Sequence, residues 1–301
     1  MKPVRTSGTL TFVIINPVSG PARRGTAAER VRLAEDALEA VGLRAEILLT
    51  ESEGHAHDLA RHAVAAGADL VIAWGGDGTI NEVGRAVAFS ETAVGFVPAG
   101  SGNGLARELG IPFSPRKALA HALSRPVRQI DAAEIGGSLF FNVAGIGLDA
   151  VVAARVKRKP HAHGGLWPYV FASTREILNH KPFRFTAQID KDVITQSALV
   201  VAIANSRQYG YGSKIAPTAK LDDGLLDLVV IEDRAFIGNL VRLPFLMTGG
   251  LHRQPGVTVR RIKEVTITCE NPMPFHVDGE AHEGGTTLSV RVHPGALRVR
   301  A

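Results

Sequence analysis

The chain has 301 residues, of which 45% are hydrophobic and 21% charged, and a formal net charge of +5. It is long enough for two domains and a sizeable core, and its composition is that of a globular protein rather than a disordered or fibrous one. No apolar run reaches the roughly eighteen residues of a spanning helix, no zinc-like Cys/His spacing or aromatic-basic module for nucleic acid occurs, and Cys269 has no partner for an internal disulfide. The positive balance favours anionic partners, either phosphates or an acidic membrane surface. The start, Met1 to Gly8, leads into a strand pattern without a signal-peptide apolar region, so a cytoplasmic protein is expected, with the inner membrane surface as a peripheral location.

The first half alternates strand and helix. Leu10 to Ile15 reads as a strand, Asn16 to Gly20 as a turn, and Thr26 to Val41 as a helix stopped by Gly42. Ala45 to Thr50 is a second strand and His55 to Ala66 a second helix. Leu70 to Trp74 is a buried strand that ends at Gly75 and Gly76. A helix follows with Ile80, Val83, Ala86, Val87 and Ala88 on its apolar stripe, capped by Asp77 or Thr79. Ala93 to Val97 is the next strand. This βαβα rhythm predicts a mostly parallel sheet covered by helices on both faces, with ligands bound beyond the carboxyl ends of its strands.

After about Pro126 the pattern changes to short alternating segments: Val127 to Ile135, Leu139 to Val143, Phe183 to Ile189, Ala198 to Ala204, Leu225 to Ile231, Arg260 to Thr268 and Leu288 to Val292. They predict a β-sandwich, interrupted by helices around Leu166 to Leu178 and Arg234 to Thr248, the second kinked at Pro244. The expected division is residues 1–130 as an α/β domain and 131–301 as a β-sandwich domain, with the extreme C-terminus free to return to the first. Cys269 falls in an alternating strand, where it packs.

Four strand ends carry polar or glycine-rich turns. Gly75-Gly76-Asp77-Gly78-Thr79 joins a strand to a helix start, where unpaired N–H groups and the helix dipole suit phosphate. Asp77 would repel phosphate unless a cation intervenes, which points to a Mg²⁺-nucleotide. Asn16-Pro17-Val18-Ser19-Gly20, with Arg23 and Arg24 beyond it, offers a hydroxyl, backbone N–H groups and cations for phosphate oxygens; on its own it reads as a capped surface turn. Pro98 to Arg107, with Ser101 and Asn103, repeats the strand, loop and helix. Thr50-Glu51 reads equally as an adenosine contact or a plain turn. In the second half, Lys220 to Asp227 gathers acids around Gly224, suited either to Mg²⁺ or to a solvated hairpin. Asp278-Gly279-Glu280 reads as an acid pair able to take a proton from an alcohol, or as an Asp-Gly hairpin.

Taken together, Asn16-Pro17-x-Ser19-Gly20, Gly75-Gly76-Asp77-Gly78-Thr79-x-Asn81-Glu82, Pro98-x-Gly100-Ser101-Gly102-Asn103 and Asp278-Gly279-Glu280 resemble, in order, the motifs of the diacylglycerol kinase catalytic family, which includes bacterial lipid kinases and the sphingosine and ceramide kinases. The resemblance covers most of the chain. It implies a three-layer α/β domain like that of NAD kinase and phosphofructokinase, a C-terminal β-sandwich, and ATP with Mg²⁺ in a cleft between them. It implies nucleotide contacts at Asn16, Pro17, Val18, Ser19, Gly20, Thr50, Gly75, Gly76, Asp77, Gly78, Thr79, Ile80, Asn81 and Ser101. It further implies Glu280 as proton acceptor, catalytic Asp77, and a Mg²⁺ site at Lys220, Asp223 and Leu225, where Lys220 and Leu225 contribute backbone carbonyls.

The expected partners are ATP and a lipid alcohol, diacylglycerol-like or sphingoid, and no nucleic acid. A homodimer is compatible with the sequence, which does not specify an oligomeric state. Asn103-Gly104 replaces the Asn-Asp of many bacterial diacylglycerol kinases and is more like the sphingosine and ceramide branch. The basic run Arg155 to Lys159, followed by Gly165 to Phe171, suits either an anionic bilayer surface or a solvated face beside a packed helix; His161 and His163 nearby have no assigned role. The rival readings are a soluble-substrate enzyme such as an NAD kinase and a nucleotide-binding regulator without turnover.

Overall fold

A computed structural model describes residues 9–20, 26–157, 182–210 and 212–301. The basic run beyond Lys157, His161 and His163, the expected helix around 166–178, and Pro21, Arg23 and Arg24 lie outside these residues. The chain divides into two compact units. The first comprises Met1–Gly100, Leu109–Ile130 and Ala296–Ala301, the second Ser101–Glu108 and Asp131–Gly295.

In the first unit, strands β1 (Thr11–Ile15), β2 (Ala45–Leu49), β3 (Leu70–Gly75) and β4 (Ala93–Pro98) form a parallel sheet in the order β2-β1-β3-β4. β1, β3 and β4 are buried along their whole length, which explains why they read as apolar runs rather than alternating ones. Helix α1 (Ala27–Glu39) begins in a capping box, in which the Thr26 hydroxyl accepts from Glu29 N–H and the Glu29 carboxylate accepts from Thr26 N–H. Helices α2 (His55–Ala65) and α3 (Asp77–Val87) pack on each other, and α1 packs on α5 (Pro115–Ser124). The connection from β1 runs outward to β2 and then returns past β1 to β3, so the strand order reverses between β1 and β3. Right-handed crossovers then put α1 on one face and α2 and α3 on the other.

The second unit is a sandwich. Its first sheet contains β6 (Ser138–Phe140), β8 (Phe183–Ile189), β9 (Asp192–Ala198), β15 (Glu264–Cys269), the end of β5 (Val127–Ile135) and the beginning of β18 (Thr287–Arg300). Its second sheet runs β14 (Val257–Ile262), β13 (Leu226–Ile231), β10 (Val200–Ala204), β7 (Val143–Gly147), β16 (Phe275–Val277), β17 (Glu280–His282). The two sheets share one core, with Phe140, Phe185, Ile267 and Leu288 from the first and Ile146, Ile203, Leu228 and Phe275 from the second. Helix α6 (Leu148–Lys157), not expected from the sequence, covers the outer face of the second sheet through Leu148 and Val152. β10 is therefore buried on both faces: Val201 and Ile203 point into the sandwich, and Ala202 and Ala204 point outward beneath the helices.

Two expected strands are each divided between the sheets. Leu139 to Val143 breaks at Phe141 and Asn142, giving β6 to one sheet and β7 to the other. Arg260 to Thr268 breaks at Lys263: Ile262 and Val265 both enter the core, and a spacing of three cannot be met by one strand, whose faces alternate every residue. Two short strands, β11 (Gln208–Gly210) and β12 (Ser213–Lys214), form a separate hairpin.

Helix α7 (Ala235–Thr248) contains Pro244 as expected, and it buries polar as well as apolar side chains. Asn239 and Arg242 are buried, while Phe236, Ile237, Leu240, Val241 and Met247 are exposed. The Arg242 guanidinium donates to the carbonyls of Glu232 and Pro255, and Asn239 donates to Asp233 and accepts from Arg234 N–H. Leu243, Phe245 and Leu246 pack on the outer core of the second sheet, so these apolar side chains and the polar pair together fix the helix to the protein. Among the described residues no helix is long and apolar enough to cross a membrane.

Candidate active site

The carboxyl ends of β1 and β3 flank the point where strand order reverses, the place where open α/β sheets bind ligands. Asn16 follows β1, and its N–H donates to the Trp74 carbonyl at 2.9 Å. Its side chain bridges two turns: Nδ2 donates to Thr79 Oγ1 at 2.9 Å and Oδ1 accepts from Val18 N–H at 3.1 Å. Ser19 Oγ donates to the Asn16 carbonyl at 2.9 Å. Arg30 then locks the loop from α1, with Nη1 donating to the Asn16 carbonyl (2.6 Å) and Ser19 Oγ (2.9 Å), and Nη2 to the Ser19 carbonyl (2.8 Å). Sequence reasoning missed Arg30, although a charged residue on the apolar stripe of α1, between Ala27 and Ala34, is a readable signal. Pro17 and the exposed Val18 form the bend, and Gly20 ends it with φ +81°. Thr50 is buried beside this turn, its N–H donating to the Ile15 carbonyl at 2.9 Å.

The turn after β3 has no room for side chains. A Cβ at Gly75 would overlap the Thr79 side chain, and one at Gly76 would lie 3.3 Å from Gly100 Cα. Gly76, not Asp77 or Thr79, is the N-cap of α3, and no side chain caps this helix start. Thr79 is instead turned toward Asn16, and Asp77 opens the first turn. The expected capping residue is therefore corrected: α3 starts at Gly76 with the positive end of its dipole uncovered by any capping side chain. Gly78 lies within this turn, and Ile80 and Asn81 are buried on the inner side of the helix. Glu82 has another role. Its carboxylate accepts from Gly54 N–H at 3.0 Å and Ala56 N–H at 3.1 Å, capping α2, which begins at Gly54 without a side-chain cap of its own.

Ser101 belongs to the second compact unit, at the head of a segment leading into the short helix α4 (Gly104–Glu108). A Cβ at Gly104 would collide with Asn142 Nδ2 and approach the Tyr209 carbonyl at 3.1 Å. The Gly in place of Asp is thus required by packing in this chain. Glu108 holds the segment by accepting from Arg207 Nε at 2.7 Å.

Glu280 starts β17, one residue beyond the β16–β17 turn. Asp278 (φ +49°) and Gly279 (φ +90°) make this turn, the left-handed pair that Asp-Gly hairpins use. The Asp278 carboxylate accepts from the N–H groups of Phe141 (3.1 Å), Asn142 (2.9 Å) and Val143 (3.1 Å). Of the two expected acids, Asp278 is therefore a structural anchor of the β6–β7 segment.

The acidic turn is built on a residue the sequence reading passed over. Asp131 is buried; its carboxylate accepts from Gly224 N–H at 2.7 Å and Gly295 N–H at 2.8 Å. Burial raises its pKa above the ordinary carboxylate range and the Asp223 and Asp222 charges push the same way, while the two N–H groups pull it down. Asp227, also buried, is raised by burial and by Asp223, against Arg261. Asp223 and Lys220 are exposed, and Asp223 Oδ1 accepts from Leu225 N–H at 3.1 Å. Among the described residues no three His, Cys, Asp or Glu side chains form a metal cluster. One carboxylate with the carbonyls of Lys220 and Leu225 is an oxygen donor set that fits Mg²⁺ completed by water, and a cation there would offset the Asp223 charge, which adds to the effect of burial at Asp131 and Asp227.

The architecture is thus a parallel α/β sheet with a glycine turn at its switch point, followed by a β-sandwich. Residues 11–135 match the diacylglycerol kinase catalytic domain, and residues 142–301 the YegS C-terminal NAD kinase beta sandwich-like domain. The chain is 33% identical to a protein of Pseudomonas fluorescens named "Probable lipid kinase YegS-like", over 90% of each chain. It is 30% identical to a "Diacylglycerol kinase" of Mycobacterium tuberculosis, over 89% of this chain and 87% of that one. A solved Bacillus anthracis structure described as a diacylglycerol kinase superposes with a TM-score of 0.76 at 20% identity, covering 98% and 97% of the two chains, which shows the shared fold. The chain belongs to the diacylglycerol kinase catalytic family, an enzyme family of lipid kinases.

Two predictions follow from the site's supports. Replacing Glu82 by Ala should lower unfolding stability by about 1–2 kcal/mol through loss of the α2 cap, with Glu82→Gln losing less, as read from urea midpoints. Because the folded pKa of Asp227 is raised, its contribution to stability is full below the ordinary aspartate pKa and is lost as pH rises through the folded value. Asp227→Asn should therefore stabilise the protein at pH 7 relative to wild type and lose that advantage near pH 3; equal gains at both pH values would contradict the assignment.

Proposed function

We propose that the chain is an ATP- and Mg²⁺-dependent kinase that phosphorylates a hydroxyl of a diacylglycerol-like or sphingoid lipid. The observation that carries this reading is the glycine-rich turn Gly75 to Thr79, which opens a helix without a side-chain cap at the switch point, with Asp77 in its first turn. Its N–H groups, with the Asn16 to Gly20 turn that Arg30 rigidifies, bind nucleotide phosphates; Thr50 and Ser101 complete the nucleotide contacts. Mg²⁺, when bound, neutralises charge on the phosphates, and Asp77 is the residue through which it is held near them. Lys220, Asp223 and Leu225 hold a second, structural Mg²⁺.

Glu280 accepts the proton of the lipid hydroxyl. The hydroxyl oxygen bonds to the γ-phosphorus, the bond from that phosphorus to the β,γ-bridging oxygen breaks, and ADP leaves. Such transfer depends on position and charge rather than on covalent help from the protein. Labelled ATP with Mg²⁺, offered a panel of lipid alcohols and NAD, should give one labelled lipid. Asp77→Ala and Glu280→Ala should each lower kcat by at least about a hundredfold in folded protein, within the range assigned to positioned acid-base and charge-stabilising groups. Label only in NAD would replace the lipid reading with the soluble-substrate one, and no label in any acceptor would favour a regulator.

A lipid acceptor also requires contact with a bilayer, and α7 favours this. Phe236, Ile237, Leu240, Val241 and Met247 form an exposed apolar face, while Leu243, Phe245 and Leu246 pack on the protein, the exposure of a helix that lies in an interface. With the basic run from Arg155 to Lys159, this fits an anionic surface. Ile237→Glu with Val241→Glu should reduce binding to vesicles of anionic lipid by about tenfold or more; unchanged sedimentation with vesicles would remove α7 from the contact.

A further inference from the structure

The Asp278-Gly279 turn is held from a second side by a buried polar chain. His276 sits on β16 opposite Gly145 of β7 and is 3% exposed. Its Nδ1 accepts from Gly279 N–H at 3.4 Å, so Nε2 carries the ring proton and donates to Asp149 Oδ2 at 3.3 Å. The same oxygen accepts from Tyr209 Oη at 2.9 Å, and Asp149 Oδ1 accepts from Ala150 N–H at 2.9 Å. Burial first, then the Asp149 charge and its hydrogen bond, holds the Tyr209 phenol well above its ordinary pKa, so it remains a donor. Residue 145 must be glycine for this chain to exist, because a Cβ there would overlap the Asp149 carboxylate and His276 Nε2.

Closing a two-residue Asp-Gly turn does not require a buried His, a carboxylate and a phenol, each of which loses hydration in the interior. The chain ends on the peptide N–H immediately before Glu280. Gly279 meets no atom within 4 Å of a would-be Cβ, and glycine leaves its peptide unit the most freedom to rotate. The hydrogen bond to His276 removes that freedom at the residue adjoining the carboxylate.

We propose that His276, oriented by Asp149 and Tyr209, is a positioning residue that fixes the Gly279 peptide and so aims Glu280. The inference rests on the reading of Glu280 as proton acceptor. His276→Phe keeps a ring and removes the acceptor; His276→Asn restores an acceptor at the place of Nδ1; Tyr209→Phe removes one of the two bonds that orient the Asp149 carboxylate. In full-length protein, His276→Phe should lower kcat by about 10- to 100-fold, as small displacements of catalytic groups do, while KM for ATP stays within about twofold. Tyr209→Phe should lose less, and His276→Asn should recover most of the lost kcat.

Hydrogen–deuterium exchange over Val277 to Ala281 should quicken in His276→Phe and return toward wild type in His276→Asn. A purely structural role would lower the melting temperature and folded fraction but leave kcat per folded molecule unchanged. That result, or no recovery in His276→Asn, would overturn the inference, as would unchanged exchange in His276→Phe. Should His276→Phe fail to fold, Tyr209→Phe and His276→Asn carry the same comparison. Absence of phosphate transfer by wild-type protein would instead overturn the kinase reading and the catalytic half of the inference, leaving the exchange measurement to decide the hydrogen bond.

Discussion

Three successive backbone N–H groups, those of Phe141, Asn142 and Val143, converge on the Asp278 carboxylate at 3.1, 2.9 and 3.1 Å. A strand cannot change sheets without leaving ladder donors unpaired, and a buried unpaired N–H is costly. Asp278 supplies the missing acceptors at the place where β6 leaves one sheet and β7 enters the other. The reverse bond, Asp278 N–H to the Val143 carbonyl at 2.9 Å, ties the hairpin back to the same segment. One carboxylate thus closes the sandwich at this corner and sets the base of the turn that carries Glu280. The anchor and the candidate catalytic acid stand two residues apart because the same backbone serves both.

The first unit reaches a comparable result without an acid. Its turn is shaped by what is missing: Gly75 and Gly76 leave space that the Thr79 side chain and the Gly100 backbone fill. With Thr79 bonded to Asn16, the two turns at the switch point are one hydrogen-bonded unit, and Arg30 stiffens its far side. The helix start is left uncapped while its neighbour α2 is capped from α3 by Glu82.

Much of this was legible in the amino-acid order. The parallel sheet followed from apolar strands alternating with periodic helices, and the tight turn after β3 from its glycines. The family resemblance, carried by four spaced motifs, agrees with both matched domains. What escaped was whatever depends on pairs distant in sequence. Nothing local distinguishes Asp278 from Glu280, and only contact with residues 141–143 shows that the first is committed. Likewise, the breaks at Asn142 and Lys263 are invisible to alternation alone, because apolar residues continue on either side. Glu82 entered only as the last residue of a family motif, and its bonds to α2 could not be read from it. Helix α6 was missed because its small, apolar stretch Ala150 to Ala154 lacks a polar stripe, being covered on one side by the sheet.

The acids around Gly224 show the remaining constraint. Asp131 and Asp227 are buried with raised pKa values, and Asp223 adds to both. Asp131 repays part of its burial by accepting from Gly224 and Gly295, which secures the turn and the approach to the last strand. Asp227 has no such return: its Oδ1 finds no hydrogen-bond partner, and Arg261 Nε stands 3.9 Å away. A chain selected only for stability would place a neutral residue there. The carboxylate is retained although burial and the neighbouring Asp223 both oppose its charge and Arg261 offsets them only in part, so this turn is a place where the fold keeps a charge at a cost in stability.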